Sequence, residues 1–124
     1  MADLYQEKLM DLYRNPHNKG KIKSPSVSVS KQNPMCGDEI TLQLEVEDGV
    51  VKDAKFDGSA CSVSIISSSV LTDYLIGKTL EKVKKLTQKD LLKLINLNLS
   101  TSRVACATLV FAALQEALKR YDES

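Results

Sequence analysis

Residues 39–57 constrain the fold more than any other stretch. Ile40, Leu42, Leu44 and Val46 alternate with Thr41, Gln43 and Glu45. A period of two gives a strand one buried face and one wet face. Asp48-Gly49 follows. A two-residue type I′ turn needs positive φ at both central positions, so this pair predicts a hairpin. Val50 to Asp57 then returns antiparallel, with Ala54 and Phe56 toward the core, and Gly58 breaks the strand. Ser26 to Ser30 alternates Ser and Val, with Val27 and Val29 on one face. That gives a third strand ahead of the hairpin.

From residue 61 the apolar period becomes helical. Val63, Ile66, Val70 and Tyr74 form one stripe, and Gly77 suits the position just past a helix end. Ser62, Ser64, Ser67, Ser68 and Ser69 are poor helix formers but leave room for close approach of the helix to the sheet. Thr79 and Thr87 are N-caps, Thr87 and Asp90 fit a capping box, and short helices are expected over 80–85 and 88–96. A polar connection, Asn98 to Ser102, leads into a last helix over 103–121. At the other end, Leu4, Tyr5, Leu9, Leu12 and Tyr13 predict a helix over 2–14 that Asn15-Pro16 terminates. Residues 15–25 are a polar loop. Strands grouped apart from helices imply an α+β fold: a three-stranded antiparallel sheet with helices packed on one face.

The 124 residues are expected to form one domain with a core that needs no disulfide framework. Seventeen Lys and Arg against 16 Asp and Glu leave a charge of +1. Such a balance supplies no global field for nucleic acid or an anionic membrane. The run Lys19, Lys21, Lys23 reads as a solvated loop. No apolar run reaches the roughly 20 residues of a membrane span, and the acidic N-terminus lacks the apolar core of a signal peptide. A cytoplasmic protein with reduced thiols is the expectation.

The chemistry centres on three cysteines, Cys36, Cys61 and Cys106, with no CxxC pair among them. The odd count and the spacing argue against a disulfide scaffold. Cys36 and Asp38 flank Gly37 in Asn33-Pro34-Met35-Cys36-Gly37-Asp38, a turn just before the clearest strand. Cys61 opens a helix, where free N–H groups and the positive end of the macrodipole favour a thiolate. Cys106 falls near the start of the last helix, with Arg103 one turn before it on the same face. Three thiolates and one further ligand would make a tetrahedral metal site. Each cysteine also has a plainer reading as a small buried hydrophobe. His17 reads as a surface loop residue.

These segments carry a resemblance. Asn33 to Asp38, Lys55-Phe56-Asp57-Gly58-Ser59-Ala60-Cys61-Ser62-Val63-Ser64 and Arg103-Val104-Ala105-Cys106-Ala107 are similar to the IscU/SufU family, the NifU N-terminal domain. Tyr13-Arg14-Asn15-Pro16 and Asn18-Lys19-Gly20 also match its pattern. The resemblance covers nearly all of residues 1–124. It implies a SufE/NifU-like fold and a part in iron–sulfur cluster assembly. It also implies a ligand set of Cys36, Asp38, Cys61 and Cys106. Two features sort the branches. The scaffold branch carries His before the third Cys, within a Leu-Pro-Pro-Val-Lys region read by a chaperone. Here that position is Ala105, and Leu99-Ser100-Thr101-Ser102-Arg103 has no proline pair. Arg103 and Cys106-Ala107-Thr108-Leu109 resemble the SufU branch, although its insertion before the last helix is missing.

On that resemblance the expected function is a zinc-bound acceptor of persulfide sulfur from a cysteine desulfurase. It would be sulfurtransferase-like rather than a stand-alone enzyme. Cys36 is the expected acceptor, Asp38 the exchangeable ligand, and Arg103 the group that stabilises the thiolate. Downstream partners would be apo iron–sulfur proteins or another scaffold, with no role for nucleic acid or membrane. A [2Fe–2S] scaffold on the same ligands is the alternative, and a structural zinc module the third reading.

Overall fold

The computed structural model describes residues 10–33, 37–95 and 101–123. Within them, residues 10–14 are helical (α1), and the turn closes at Asn15, whose N–H donates to the Asp11 carbonyl at 2.7 Å. Residues 2–9 of the expected first helix lie outside the described residues. Three strands follow: β1 (Val27–Asn33), β2 (Asp38–Glu47) and β3 (Val50–Asp57). They form one antiparallel sheet in the order β1-β2-β3. β1 runs three residues beyond the Val/Ser alternation. Its extension pairs Lys31 with Ile40, Gln32 with Glu39 and Asn33 with Asp38. Asp38 therefore starts β2 rather than ending a turn.

The β2–β3 hairpin is built as its sequence requires. Asp48 has φ +54° and Gly49 φ +73°, the two positive values of a type I′ turn. Ile40, Leu42 and Leu44 on β2 and Val51, Ala54 and Phe56 on β3 are fully buried. The intervening positions form a polar surface, where Ser30 and Thr41 hydroxyls meet at 2.6 Å and Gln43 reaches Ser28. Among the described residues the helices that pack on the sheet cover its apolar face, an α+β arrangement. On that face α2 (Ser62–Leu75) lies over β3, and α6 (Leu109–Glu123) lies over β1 and β2. Val110, Phe111, Leu114 and Ala117 are the buried side of α6.

The outer edge of β3 does not stay open. Phe56 exchanges backbone bonds with Asn18 and Gly20, and Val51 does so with Gly77 and Lys78. These two short segments cap both ends of an edge that would otherwise offer unpaired groups to another chain. Lys19, Lys21 and Lys23 remain exposed along the first of them.

The small helices follow their caps. α3 (Leu80–Lys85) begins at Thr79, whose side chain accepts the Lys82 N–H. α4 (Gln88–Ile95) begins with a reciprocal capping box. The Thr87 N–H donates to Asp90 at 2.9 Å, and the Asp90 N–H donates to Thr87 Oγ1 at 3.2 Å. Two expectations change. α2 is buried around most of its circumference rather than along one stripe, with Ser64, Ser67, Ser68 and Ser69 all inside. The last helix is two helices, α5 (Thr101–Ala107) and α6, broken at Thr108. The Val104 carbonyl accepts both the Thr108 N–H at 3.0 Å and Thr108 Oγ1 at 2.9 Å, a side-chain back-bond of the kind that bends helices. Most of the expected polar connection before α5, residues 98–100, lies outside the described residues.

Candidate metal centre

Three elements deliver the candidate ligands. Asp38 is the first residue of β2, Cys61 is the N-cap of α2, and Cys106 lies in the last turn of α5. One ligand atom from each falls within 4.8 Å of the other two. Asp38 is 4% exposed and Cys106 5%, while Cys61 is half-buried. Cys36 lies outside the described residues, as does the side chain of Arg103.

Asp38 is tied into the start of α2. Its Oδ1 accepts the Cys61 N–H at 3.0 Å, and its Oδ2 meets Ser64 Oγ at 2.8 Å. A carboxylate here faces the positive end of a 14-residue helix and takes up one of its free N–H groups. Cys61 uses no side-chain atom as a cap, so its sulfur is left to face the other two ligands. The loop before it is held by backbone contact: the Glu39 N–H donates to the Ser59 carbonyl at 2.8 Å.

Cys106 is presented differently from the sequence expectation. Near the start of a long helix it would have shared the favourable dipole. It lies instead in the last turn of seven-residue α5, just before α6, and α2 supplies its support. Ser64 Oγ meets the Cys106 carbonyl at 2.8 Å, and Ser67 Oγ donates to the Ala107 carbonyl. The serine run thus gives close approach, and two of its hydroxyls bond the helix they approach. Ser64 is the contact that sequence reading missed. Its spacing of three from Cys61, one helical turn, was the available signal.

His17 is drawn elsewhere. Its Nδ1 lies 2.6 Å from Asp73 Oδ2, and Asn18 Nδ2 donates to Asp73 Oδ1 at 2.8 Å. Asp73 follows Cys61 by twelve residues on α2, about 18 Å along the axis. His17 is a surface residue that pins the loop to the far end of α2.

The donor set suits a transition metal. Two thiols and one carboxylate, on three elements and in a largely buried setting, combine the soft and borderline donors that zinc and iron accept. Among the described residues no helix is long and apolar enough to cross a membrane.

Comparison with known proteins agrees with this arrangement. The family model for the NifU-like N terminal domain matches residues 4–124. The iron–sulfur cluster assembly scaffold protein IscU of Thermotoga maritima is 37% identical, over 94% of this chain and 94% of its own length. The zinc-dependent sulfurtransferase SufU of Bacillus subtilis is 32% identical, over 94% of this chain and 90% of its own. The crystal structure of a NifU-like protein (N-terminal) from Brucella abortus superposes with a TM-score of 0.79. It covers 98% of this chain and 96% of its own at 21% identity, a likeness of fold. By sequence and by fold, this chain belongs to the NifU-like N-terminal domain family, the IscU/SufU family of iron–sulfur cluster assembly.

Proposed function

We propose that this protein accepts persulfide sulfur from a cysteine desulfurase at a zinc site formed by Cys36, Asp38, Cys61 and Cys106. It then passes the sulfur on to cluster assembly. The observation that supports this reading is the convergence of Asp38, Cys61 and Cys106 within 4.8 Å. Cys36 precedes Asp38 by two residues and would complete the four donors of tetrahedral zinc. Bound there, zinc keeps the cysteines as thiolates at neutral pH. The cytoplasm, where thiols stay reduced, is the compartment this chemistry needs. Residues 1–124 act as one domain in this reading.

The side chains divide the work. Cys61 and Cys106 are carried on packed helices, and Asp38 is held by the start of α2. Cys36 belongs to the four residues between β1 and β2 and is the sulfur acceptor. Its thiolate attacks the outer sulfur of the donor's persulfide. A new S–S bond forms on Cys36, the donor's S–S bond breaks, and the donor cysteine leaves as a thiolate. This is the displacement of thiol–disulfide exchange. Arg103, one helical turn before Cys106, supplies positive charge to the attacking thiolate. The acceptors downstream are apo iron–sulfur proteins or a further scaffold.

The second reading is a transient [2Fe–2S] scaffold on the same residues. The Thermotoga relative, named as a scaffold, favours it. Thiolates hold such clusters, and a carboxylate in place of one of them weakens the hold, which suits release. One set of measurements separates the readings: metal content after aerobic and anaerobic purification, with desulfurase turnover measured with and without the protein. Tight zinc, together with a stimulation of turnover that Cys36→Ala abolishes, is the expected result. Anaerobic cluster build-up without stimulation by the zinc form would overturn it in favour of the scaffold. A zinc form whose Cys36 never acquires persulfide would leave a structural zinc module.

A further inference from the structure

Ser64 borders the candidate metal centre without belonging to its ligand set. It is 1% exposed. Its Oγ lies 2.8 Å from Asp38 Oδ2, 2.8 Å from the Cys106 carbonyl and 3.8 Å from Cys61 Sγ. One buried hydroxyl therefore touches all three residues whose ligand atoms converge.

The chemistry of a hydroxyl limits what it does there. It has one proton to donate and two lone pairs. Asp38 Oδ2 and the Cys106 carbonyl compete for that proton. Both are acceptors on opposite walls of the site, one on β2 and one on α5. Shared between them as a three-centre bond, the proton draws both walls toward α2. Asp38 is then fixed through both oxygens, by the Cys61 N–H on Oδ1 and by Ser64 on Oδ2. The carboxylate cannot rotate out of the site without leaving the Cys61 N–H unpaired, and such a group is costly to orphan.

We propose that Ser64 is the positioning residue of the metal centre, orienting Asp38 and registering Cys106 against Cys61. The proposal rests on the metal reading of Asp38, Cys61 and Cys106. Partners behind the ligands of known metal sites change affinity by about 10- to 100-fold when removed, and that is the effect expected of Ser64→Ala.

Ser67 supplies the control. It too is buried on α2 and donates to a carbonyl of α5, that of Ala107, yet no contact ties it to Asp38 or Cys61. Ser64→Ala and Ser67→Ala each remove one α2–α5 bond, and only the first removes a bond to a ligand. The test is zinc affinity by chelator competition, together with thermal unfolding of the metal-free proteins. Expected are similar losses of Tm in the two variants, with zinc held about 10- to 100-fold more weakly by Ser64→Ala alone. Equal zinc affinity in the two variants, or wild-type affinity in Ser64→Ala, would overturn the proposal. If wild type itself binds neither zinc nor iron, the metal reading falls and Ser64 with it. If wild type binds and Ser64→Ala matches it, only the role of Ser64 falls. Should Ser64→Ala not fold, the wild-type zinc form decides by NMR. The Ser64 hydroxyl proton must exchange with solvent far more slowly than that of exposed Ser59, and exchange at the Ser59 rate overturns the proposal.

Discussion

β3 has a glycine at each end, and the two do different jobs. Gly49 precedes the strand at φ +73°, and Gly58 follows it at φ +136°. A Cβ built on Gly49 would meet nothing within 4 Å. One built on Gly58 would lie 2.1 Å from the Glu39 carbonyl oxygen and 3.2 Å from Ile40 Cα. The hairpin tip needs only a conformation that glycine adopts easily. The other end needs the side chain to be absent. There the chain presses on β2, and the contact continues through Ser59 to place the Cys61 N–H on Asp38. The same residue type marks a folding requirement at one end of the strand and a site requirement at the other.

Gly58→Ala should break the site end, with the largest effect of the changes considered. The obstacle is backbone, which cannot rotate aside as a side chain would. A loss of about 3 kcal/mol or more is expected, in the range of strained positions and overpacking. Because the 58–60 segment must lift from Glu39, zinc affinity should fall as well. Denaturant unfolding of the metal-free protein and chelator competition measure the two effects. Gly49→Ala should cost about 1–2 kcal/mol for a left-handed non-glycine residue and leave zinc affinity at the wild-type value. If Gly49→Ala weakens zinc binding as much as Gly58→Ala does, the distinction between the two ends is lost.

That distinction also explains what could be read from the chain beforehand. Asp48-Gly49 announces its hairpin because turn chemistry is local, and two adjacent residues contain the whole requirement. Thr79 and the Thr87/Asp90 pair announce α3 and α4 for the same reason. Gly58 can be recognised as the end of a strand, but its contact with Glu39 joins residues nineteen apart. The break at Thr108 was equally hidden. Val104 to Tyr121 keeps helical periodicity across it, and only the folded chain shows Thr108 bonded back to Val104. Asp38, Cys61 and Cys106 were nameable from residue chemistry and from the family resemblance. The serine hydroxyls that hold two of them were not, because α2 is buried on nearly all sides and no stripe separates a packing serine from a bonding one.

Thr79 lies at the hairpin-tip end of β3, where residues 77–80 cover the sheet edge. Its side chain accepts the Lys82 N–H at 3.3 Å. Thr79→Ala should cost about 0.5–1 kcal/mol, the lower range for an N-cap, with zinc affinity unchanged. A parallel loss of zinc would extend the site's influence to this end and blur the comparison.

The smallest effect is expected at Asp90, in the exposed cap of α4. Its carboxyl is held below the usual range by the Thr87 N–H first and the Thr87 hydroxyl second, with the Lys93 charge adding to them. A depressed folded pKa means that the unfolded chain takes up this proton at higher pH than the folded one. The stabilisation is therefore present above the ordinary value of 3.8 and is lost as pH falls through the lower folded value. Asp90→Asn keeps the shape and removes the charge. The Tm difference between wild type and Asp90→Asn should be largest near neutrality and shrink on acidification below the ordinary carboxylate range. A difference that stays constant across that range would show that the charge contributes nothing to the cap. At neutral pH the variant should bind zinc as wild type does, because the carboxylate proposed as a ligand is Asp38, held by α2 rather than by α4.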